Sequence, residues 1–222
     1  MEYIDMKSLT RYSSKLGELL AKMHLHNTEI GNRLEAQASS IHKSSELEDQ
    51  FVSQFGFHTT TCCGYIPQDN TWHDDWVEFF ARQRLQYQLN LIEKNKRDRE
   101  AQELWSQLQL VLPKFFKNIS IVPAIVHGDL WGGNAAETDN EPVIFDPAVF
   151  YAHSEFELGI TTLFGGFSRQ FFSSYHSAIP KAPGFEYRLQ LYQLYHYLNH
   201  WNHFGGGYRG SSISLMKRLL KN

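Results

Sequence analysis

The most informative stretch of this 222-residue chain is His127-Gly128-Asp129-Leu130-Trp131-Gly132-Gly133-Asn134, followed by Ile144-Phe145-Asp146-Pro147. Two short β-like runs, 121–126 and 143–145, flank this polar, glycine-rich loop. Its glycines allow backbone turns that a β-carbon would hinder. Because the pattern on either side is helical, we predict an α+β domain, mainly α, with a small β insert that carries the polar loops.

Apolar residues at helical spacing predict helices on both sides of the insert. The predicted helices cover 8–26, two stretches between His73 and about Phe116, 155–164, 168–177 and 185–203. The charged run 94–100 predicts a turn or a solvated helix face, and Pro113 predicts the end of a helix. Within the more polar region 31–60, four serines predict an exposed connection: Ser39, Ser40, Ser44 and Ser45.

Composition excludes several classes of protein. Hydrophobic residues make up 42% of the chain, enough for one sizeable core. The net charge of −3 argues against a general polyanion binder, so we expect no nucleic-acid partner. The longest clean apolar run, 121–126, is too short to cross a bilayer, and the first residues do not resemble a signal peptide, so we expect no membrane association. The only cysteines, Cys62 and Cys63, are neighbours and suit neither a mutual disulfide nor a metal site. We therefore predict a cytoplasmic protein in which the two thiols form a buried pair, with redox sensitivity as the alternative.

Asp129, Asn134 and Asp146 have the side chains and the order that phosphoryl transfer requires. A hydroxyl that attacks the terminal phosphate of ATP needs a carboxylate to orient it and accept its proton, a role that suits Asp129. Mg²⁺ prefers oxygen ligands, which Asn134 and Asp146 can supply. The spacing D-x-x-x-x-N, with a later Asp after a strand, matches the catalytic and metal loops of protein kinases. The alternative is a structural turn in which Asp129 and Asn134 cap backbone amides.

The strings HGDLWGGN and IFDPA resemble the fructosamine-3-kinase and ketosamine-3-kinase family, which shares the protein-kinase-like and aminoglycoside-phosphotransferase-like fold. Further segments that resemble it are 55–57, 61–68, 80–84, 179–185 and 197–204. The resemblance implies an enzyme that uses ATP and Mg²⁺ to phosphorylate the 3-hydroxyl of ketosamines, either free or on glycated proteins. The product breaks down and frees the amine, which amounts to deglycation. Ribulosamine, psicosamine and fructosamine all remain open as acceptors, and so does the oligomeric state.

The same resemblance assigns roles to residues of the central loop. It implies that Asp129 is the base and that Asn134 and Asp146 bind Mg²⁺. Trp131 is expected to stack on the acceptor sugar, with His127 also in the substrate site. Ordinary core packing is the alternative for Trp131.

The first residues resemble the hinge between the two lobes of such kinases. Glu2, Tyr3 and Ile4 are then expected to bind adenine, with residues 1–6 as a hinge remnant and 7–222 as the C-terminal catalytic lobe. A glycine-rich loop and a strand lysine do not precede the motif, so the N-terminal lobe that covers ATP is expected to be absent. One alternative is therefore a catalytically impaired lobe that binds a ligand or partner without kinase activity. Another is an aminoglycoside-type or choline-type kinase.

Three further patterns in the sequence are weaker. His196, His200 and His203 share one helix face, and a packed or cleft-lining role is favoured over a zinc site. Glu155 and Glu157 could brace the metal loop or simply stabilise a helix N-terminus. The run 205–207 is interpreted as a terminating loop rather than a phosphate cradle.

Overall fold

The computed structural model describes residues 4–38 and 50–221. The strands are β1 (Lys7–Ser8), β2 (Thr61–Cys63), β3 (Ile66–Gln68), β4 (Ala124–Val126), β5 (Ala135–Glu137), β6 (Pro142–Ile144) and β7 (Phe150–Ala152). The helices are α1 (Ser13–Ala38), α2 (Trp76–Phe79), α3 (Tyr87–Lys96), α4 (Arg99–Val111), α5 (Glu155–Thr161), α6 (Arg169–Ala178), α7 (Phe185–Phe204) and α8 (Arg209–Leu219). The π-helical segment Phe80–Gln86 joins α2 to α3, and 3₁₀ turns cover Leu112–Phe116 and Gly206–Tyr208. The prediction of a mainly helical α+β chain is confirmed. Glu2, Tyr3 and the four serines of the expected connection lie outside the described residues.

The larger core lies between α7 and the helices around it and is rich in aromatic rings. Trp76 is 2% exposed, and its ring stacks on Phe80 with 5.5 Å between centroids. Its indole N–H donates to the Tyr192 hydroxyl at 3.0 Å, so the polar end of this large side chain is satisfied. A second core joins α1 to α6. Together the two cores form the support on which the small β insert rests.

Helix α1 runs to Ala38, twelve residues beyond its predicted end at 26. Its buried stripe continues through His24, Asn27 and Ile30, two of which are polar and gave no hydrophobic signal. The buried side chain of Asn27 is satisfied by hydrogen bonds to the backbone. Its Nδ2 donates to the carbonyls of Val52 and Pro123, and its Oδ1 accepts from the N–H of Val52.

The helix boundaries in the middle of the chain follow their sequence signals. The charged run 94–100 contains the end of α3, where Arg97 adopts a left-handed conformation with φ 53°. Asp98 then caps α4 by accepting from the Ala101 N–H at 3.0 Å. Pro113 falls in the 3₁₀ turn that ends α4. After α7, the expected terminating loop lasts only a few residues before α8, which the sequence pattern did not predict.

The two strands predicted around the polar loop exist but do not pair with each other. Instead β4 pairs antiparallel with β7, and β6 pairs antiparallel with β5, which also pairs with β1. In this register Val126 lies opposite Phe150, and Ala135 lies opposite Ile144. The loop 127–134 and the loop 145–149 therefore run side by side. None of the helices in the described residues is long and apolar enough to cross a bilayer.

Candidate active site

The two polar loops are joined by three hydrogen bonds. His127 accepts from the Ala148 N–H on its carbonyl at 2.8 Å, and Asn134 accepts from the Phe145 N–H on its carbonyl at 3.2 Å. The third bond joins the His127 Nε2 to the Phe145 carbonyl at 2.8 Å. Because Asp146 directly follows Phe145, these bonds fix the position of Asp146 relative to the loop 127–134.

A cleft of about 360 Å³ opens over these loops. Its lining consists of Cys62, Gly64, Asp129, Trp131, Asn134, Asp146 and Pro147. The structure thus brings together the residues that the sequence singled out as base, metal ligands and stacking partner. Asp146 is exposed to the cleft and has a φ of 55°, a left-handed conformation that is uncommon for a residue with a side chain.

Asp129 is half-buried, and its neighbours determine its charge. Burial raises the pKa of Asp129 to about 7, and the negative charges of Glu157 and Asp146 act in the same direction. A hydrogen bond from Asn134 opposes this rise. The Asn134 Nδ2 donates to the Asp129 carbonyl at 2.9 Å and approaches its Oδ2 at 3.4 Å. Both of these contacts use the amide nitrogen of Asn134, so its amide oxygen, Oδ1, is available to bind a cation or accept a hydrogen bond.

The backbone of the loop is held from below by Glu157, which is fully buried on α5. Its Oε2 accepts from the His127 N–H at 2.5 Å and its Oε1 from the Gly128 N–H at 3.0 Å. His24 of α1 lies alongside, with its Nε2 3.7 Å from Oε2. Of the two roles considered for Glu157, bracing the loop is the one that the geometry supports.

Glu155 acts elsewhere. Its two carboxylate oxygens accept from the Nε and Nη2 of Arg188 at 2.7 and 2.8 Å, and both side chains are buried. The pair joins α5 to α7.

Trp131 is not a core residue, because 42% of its surface is exposed. Its ring lies over Gly133, where a β-carbon would come within 2.3 Å of the indole. The face left open borders the cleft and is free to stack on a ligand.

His127 is placed differently from the expectation that it contacts the substrate. It is only 4% exposed, and both ring nitrogens are engaged: Nε2 with the Phe145 carbonyl, and Nδ1 as acceptor of the Asp129 N–H at 3.3 Å. These bonds place a proton on Nε2 and tie the loop of Asp129 to the loop of Asp146.

The hairpin β2–β3 forms a wall of the cleft that the sequence motifs did not indicate. The expected buried pair of cysteines is wrong: Cys62 is exposed and Cys63 is buried, because neighbours on a strand point to opposite faces. Burial raises the pKa of the Cys63 thiol, and Asn199 donates to its sulfur at 3.2 Å. A Gly64-Tyr65 turn between two short β-like runs was the available signal for this hairpin.

Buried Arg84 anchors the far end of this hairpin from the π-helical segment. It donates to the Asp69 carbonyl at 2.8 Å and to the Asn70 Oδ1 at 2.6 Å, and its guanidinium lies 4.0 Å from the centre of the Phe150 ring. Burial lowers the pKa of Arg84 to about 10. The π-helix thus directs an arginine to the wall of the site.

The three histidines of α7 differ in their surroundings. His196 is fully buried between aromatic rings, His200 donates from Nδ1 to the His196 carbonyl, and His203 accepts the Tyr65 N–H on Nε2 at 3.2 Å. Among the described residues, no group of three or more His, Cys, Asp or Glu side chains is arranged to hold a metal.

Comparison with known proteins gives a consistent result. A family model described as fructosamine kinase matches residues 1–222. The ketosamine-3-kinase of Mus musculus is 59% identical over 222 residues, which cover all of this chain and 72% of the mouse protein. The chloroplastic protein-ribulosamine 3-kinase of Oryza sativa subsp. indica is 39% identical and is covered over 58% of its length.

Solved structures agree on the fold. A candidate fructosamine-3-kinase from Thermobifida fusca aligns with the whole chain at a TM-score of 0.80 and 27% identity, with 69% of that chain covered. Another, from Haemophilus somnus, aligns over 99% of this chain and 67% of its own at a TM-score of 0.78 and 21% identity. The chain therefore spans between about three fifths and three quarters of the length of these proteins.

Proposed function

This chain belongs to the fructosamine kinase family, and we propose that it acts in the transfer of phosphate from ATP to the 3-hydroxyl of ketosamines, either free or on glycated proteins. The observation that carries the proposal is the convergence of Asp129, Asn134 and Asp146 on one cleft beside the exposed face of Trp131. Fructosamine, ribulosamine and psicosamine are all acceptors of this class. The free thiols of Cys62 and Cys63 suit a reducing, cytoplasmic setting.

Asp129 is the proposed general base. A base is most effective when its pKa lies near the working pH, and burial raises the pKa of Asp129 to about 7. The Asn134 Nδ2 holds one carboxylate oxygen of Asp129, Oδ2. This contact directs the other carboxylate oxygen of Asp129 to the acceptor hydroxyl. Asp129 then takes the hydroxyl proton as the oxygen attacks the terminal phosphorus of ATP. The bond between that phosphorus and the bridging oxygen breaks, and ADP leaves.

Asn134 and Asp146 are the proposed Mg²⁺ ligands. Their oxygen atoms suit a hard divalent cation, and both line the cleft beside the base. When bound, Mg²⁺ supplies positive charge that offsets the charge of the transferred phosphoryl group. Among the described residues that line the cleft there is no Lys or Arg, so the cleft itself provides no competing cation.

The acceptor sugar is proposed to stack on Trp131, the exposed aromatic ring of the cleft. We assign His127 a positioning role instead of a substrate contact, because its ring is buried and both nitrogens are used within the protein. It keeps the loop of the base in register with the loop of Asp146.

The adenine of ATP is proposed to bind at the hinge formed by residues 1–6, with Ile4, Glu2 and Tyr3 as its contacts. Ile4 is 44% exposed and so presents an apolar surface for a base. Residues 7–222 then form the C-terminal catalytic lobe.

The test compares Asp129→Asn with Asp139→Asn, an exposed acid outside the cleft. We expect the first variant to lose phosphorylation of fructosyl-lysine by about 10²–10⁴-fold, measured as ADP released and as phosphorylated product, with an unchanged unfolding temperature. The control is expected to keep wild-type turnover. Near-normal turnover by Asp129→Asn would show that the base is assigned wrongly, and wild-type protein that phosphorylates no ketosamine would remove the proposed function.

A further inference from the structure

A row of aromatic and imidazole rings borders the cleft outside the residues proposed for chemistry. The row, called here the aromatic rim, consists of Tyr65, His203, Phe204, His200 and Phe164. The ring centroids along it are separated in turn by 4.2, 5.7, 5.5 and 4.7 Å, so each ring touches the next. Three of the five side chains are openly exposed: Tyr65 by 69%, Phe204 by 68% and Phe164 by 40%.

Hydrogen bonds hold Tyr65 and His203 in place at one end of the rim. Tyr65 donates from its backbone N–H to the His203 Nε2 at 3.2 Å and from its hydroxyl to the Asn202 carbonyl at 3.1 Å. His203 in turn donates from Nδ1 to the Asn199 carbonyl at 2.8 Å. Rings fixed in this way lose little conformational entropy when a ligand covers them, which is typical of binding surfaces.

The rim joins the cleft at both of its ends. At one end, Gly64 lines the cleft and packs so closely on the His203 ring that a β-carbon there would lie 2.3 Å from Nε2. At the other end, the residue after Phe164, Gly165, packs closely against Gly132. A β-carbon added to Gly132 would lie 3.1 Å from the Gly165 carbonyl oxygen. Gly132 is next to Trp131, so a ligand that leaves the cleft on either side meets the rim.

Charge indicates the kind of ligand. The cleft lining includes the carboxyl groups of Asp129 and Asp146, without a Lys or Arg among the described lining residues. The rim includes the C-terminal end of α7, where backbone carbonyls carry partial negative charge. The faces of aromatic rings also attract cations. All three features favour a cationic group at the mouth of the cleft.

We propose that the aromatic rim binds the amine-bearing arm of the acceptor, which is the secondary ammonium and alkyl chain of a glycated lysine. The ketose then lies at Asp129 and Trp131, the ammonium lies at the mouth of the cleft, and the alkyl chain runs over the rim. This inference rests on the proposed function and adds a determinant of specificity to it: the rim distinguishes acceptors by what the sugar is attached to.

The experiment uses two acceptors with the same ketose. One carries it on the side chain of Nα-acetyl-lysine amide and the other on methylamine, which keeps the ammonium but has no arm. Calorimetry measures the Kd of each for wild type, Phe204→Ala and Tyr65→Ala, and kinetics gives KM and kcat. Tyr187→Ala is the matched control, since Tyr187 is an exposed aromatic residue of the same helix that lies outside the rim.

We expect the Kd and KM of the lysine acceptor to rise about fivefold in each rim variant. The methylamine acceptor, which keeps only the ammonium, is expected to show a smaller rise, and kcat is expected to stay unchanged. Tyr65→Phe keeps the ring and is expected to bind the lysine acceptor as wild type does, which separates loss of the ring from loss of the hydroxyl. Equal weakening of both acceptors, or no change in either, would overturn the role of the rim while leaving the proposed function intact. Wild-type protein that binds neither acceptor would instead overturn both.

Discussion

The carboxylate of Glu157 accepts a hydrogen bond from the backbone N–H of His127 at 2.5 Å and reaches the N–H of Gly128 with its other oxygen. Because Asp129 follows directly, a single buried side chain fixes the path of the backbone that carries the proposed base. The negative charge of Glu157 also contributes to the raised pKa of Asp129. Glu157 therefore affects both the position and the charge of Asp129.

Glu157→Gln tests this relationship. The amide oxygen can accept only one of the two N–H groups, and the amide NH₂ then faces the other, which leaves a buried donor unsatisfied. We expect a loss of about 1–3 kcal/mol in the free energy of unfolding, measured by urea denaturation, and a fall in kcat that exceeds the change in KM for ATP.

The control for Glu157→Gln is Glu78→Gln, which removes an exposed carboxylate paired with Arg82 at i,i+4. Exposed ion pairs of this kind contribute little to the free energy of unfolding, so we expect Glu78→Gln to change it by less than about 0.5 kcal/mol. If Glu157→Gln proved as stable and as active as this control, Glu157 would not be bracing the loop.

Gly128→Ala tests the requirement for glycine beside the proposed base, Asp129. Gly128 has a φ of 83°, and a β-carbon there would lie 2.3 Å from the Ala148 carbonyl oxygen. The variant must strain the backbone and push the two polar loops apart, so we expect destabilisation of about 1–3 kcal/mol together with loss of turnover.

Gly206→Ala is its control, because a β-carbon at Gly206 would meet no heavy atom within 4 Å and its φ is not positive. We expect a neutral or slightly stabilising effect there. Thermal unfolding of both variants gives the comparison, and equal unfolding temperatures would contradict the close approach at Ala148.

Local signals in the sequence predicted much of this site. Asp129, Asn134 and Asp146 are set in a short glycine-rich motif, and chemistry alone restricts what such a set can do. The strand partners could not be predicted in the same way. β5 and β7 are three residues long, and Ala135–Glu137 has no β-branched or aromatic residue.

The remaining differences have the same physical origin, which is contact between parts of the chain that are far apart in sequence. Cys62 enters the cleft because a hairpin some 65 residues before Asp129 folds over it. The roles of Glu155 and Glu157 separated only when the packing of α5 placed one beside Arg188 and the other beneath His127. A pattern of charges along one helix does not contain that information.

Arg188→Met tests the buried pair that fastens α7 to α5. Removing the guanidinium leaves Glu155 buried without its partner, and burial already raises the pKa of Glu155. The variant also leaves the Pro183 carbonyl without the donor that Arg188 supplies at 2.7 Å. We expect a loss of about 3–5 kcal/mol in urea denaturation.

Lys181→Met is the matched control, since the pair of Lys181 with Glu186 has a similar distance of 2.7 Å but is exposed. We expect it to lose less than about 1 kcal/mol. Adding Glu155→Gln to Arg188→Met should recover part of the lost stability, because the unpaired buried charge is removed. A double variant no more stable than Arg188→Met would mean that packing, not charge, is what the arginine contributes.

Glu137 provides a test that depends on pH. Its carboxylate accepts from the N–H groups of Tyr12 and Thr10 at 2.9 and 2.8 Å and from the Thr10 hydroxyl, and so ties β5 to the entry of α1. These bonds favour the ionised form and lower the pKa of Glu137 from 4.5 to about 2. The stabilisation is therefore present above pH 4.5 and is lost as the pH falls toward 2.

Glu137→Gln is expected to unfold a few degrees below wild type at pH 7, and the gap should narrow as the pH is lowered from 4.5 toward 2. Thermal unfolding followed by circular dichroism across this range measures it. Glu141→Gln, an exposed acid of the turn that follows β5, is expected to match wild type at pH 7. If the ionised carboxylate is what stabilises the fold, the difference in unfolding temperature between wild type and Glu137→Gln must depend on pH. A difference that stayed constant down to pH 3 would show instead that the hydrogen bonds of Glu137 stabilise the fold regardless of its charge.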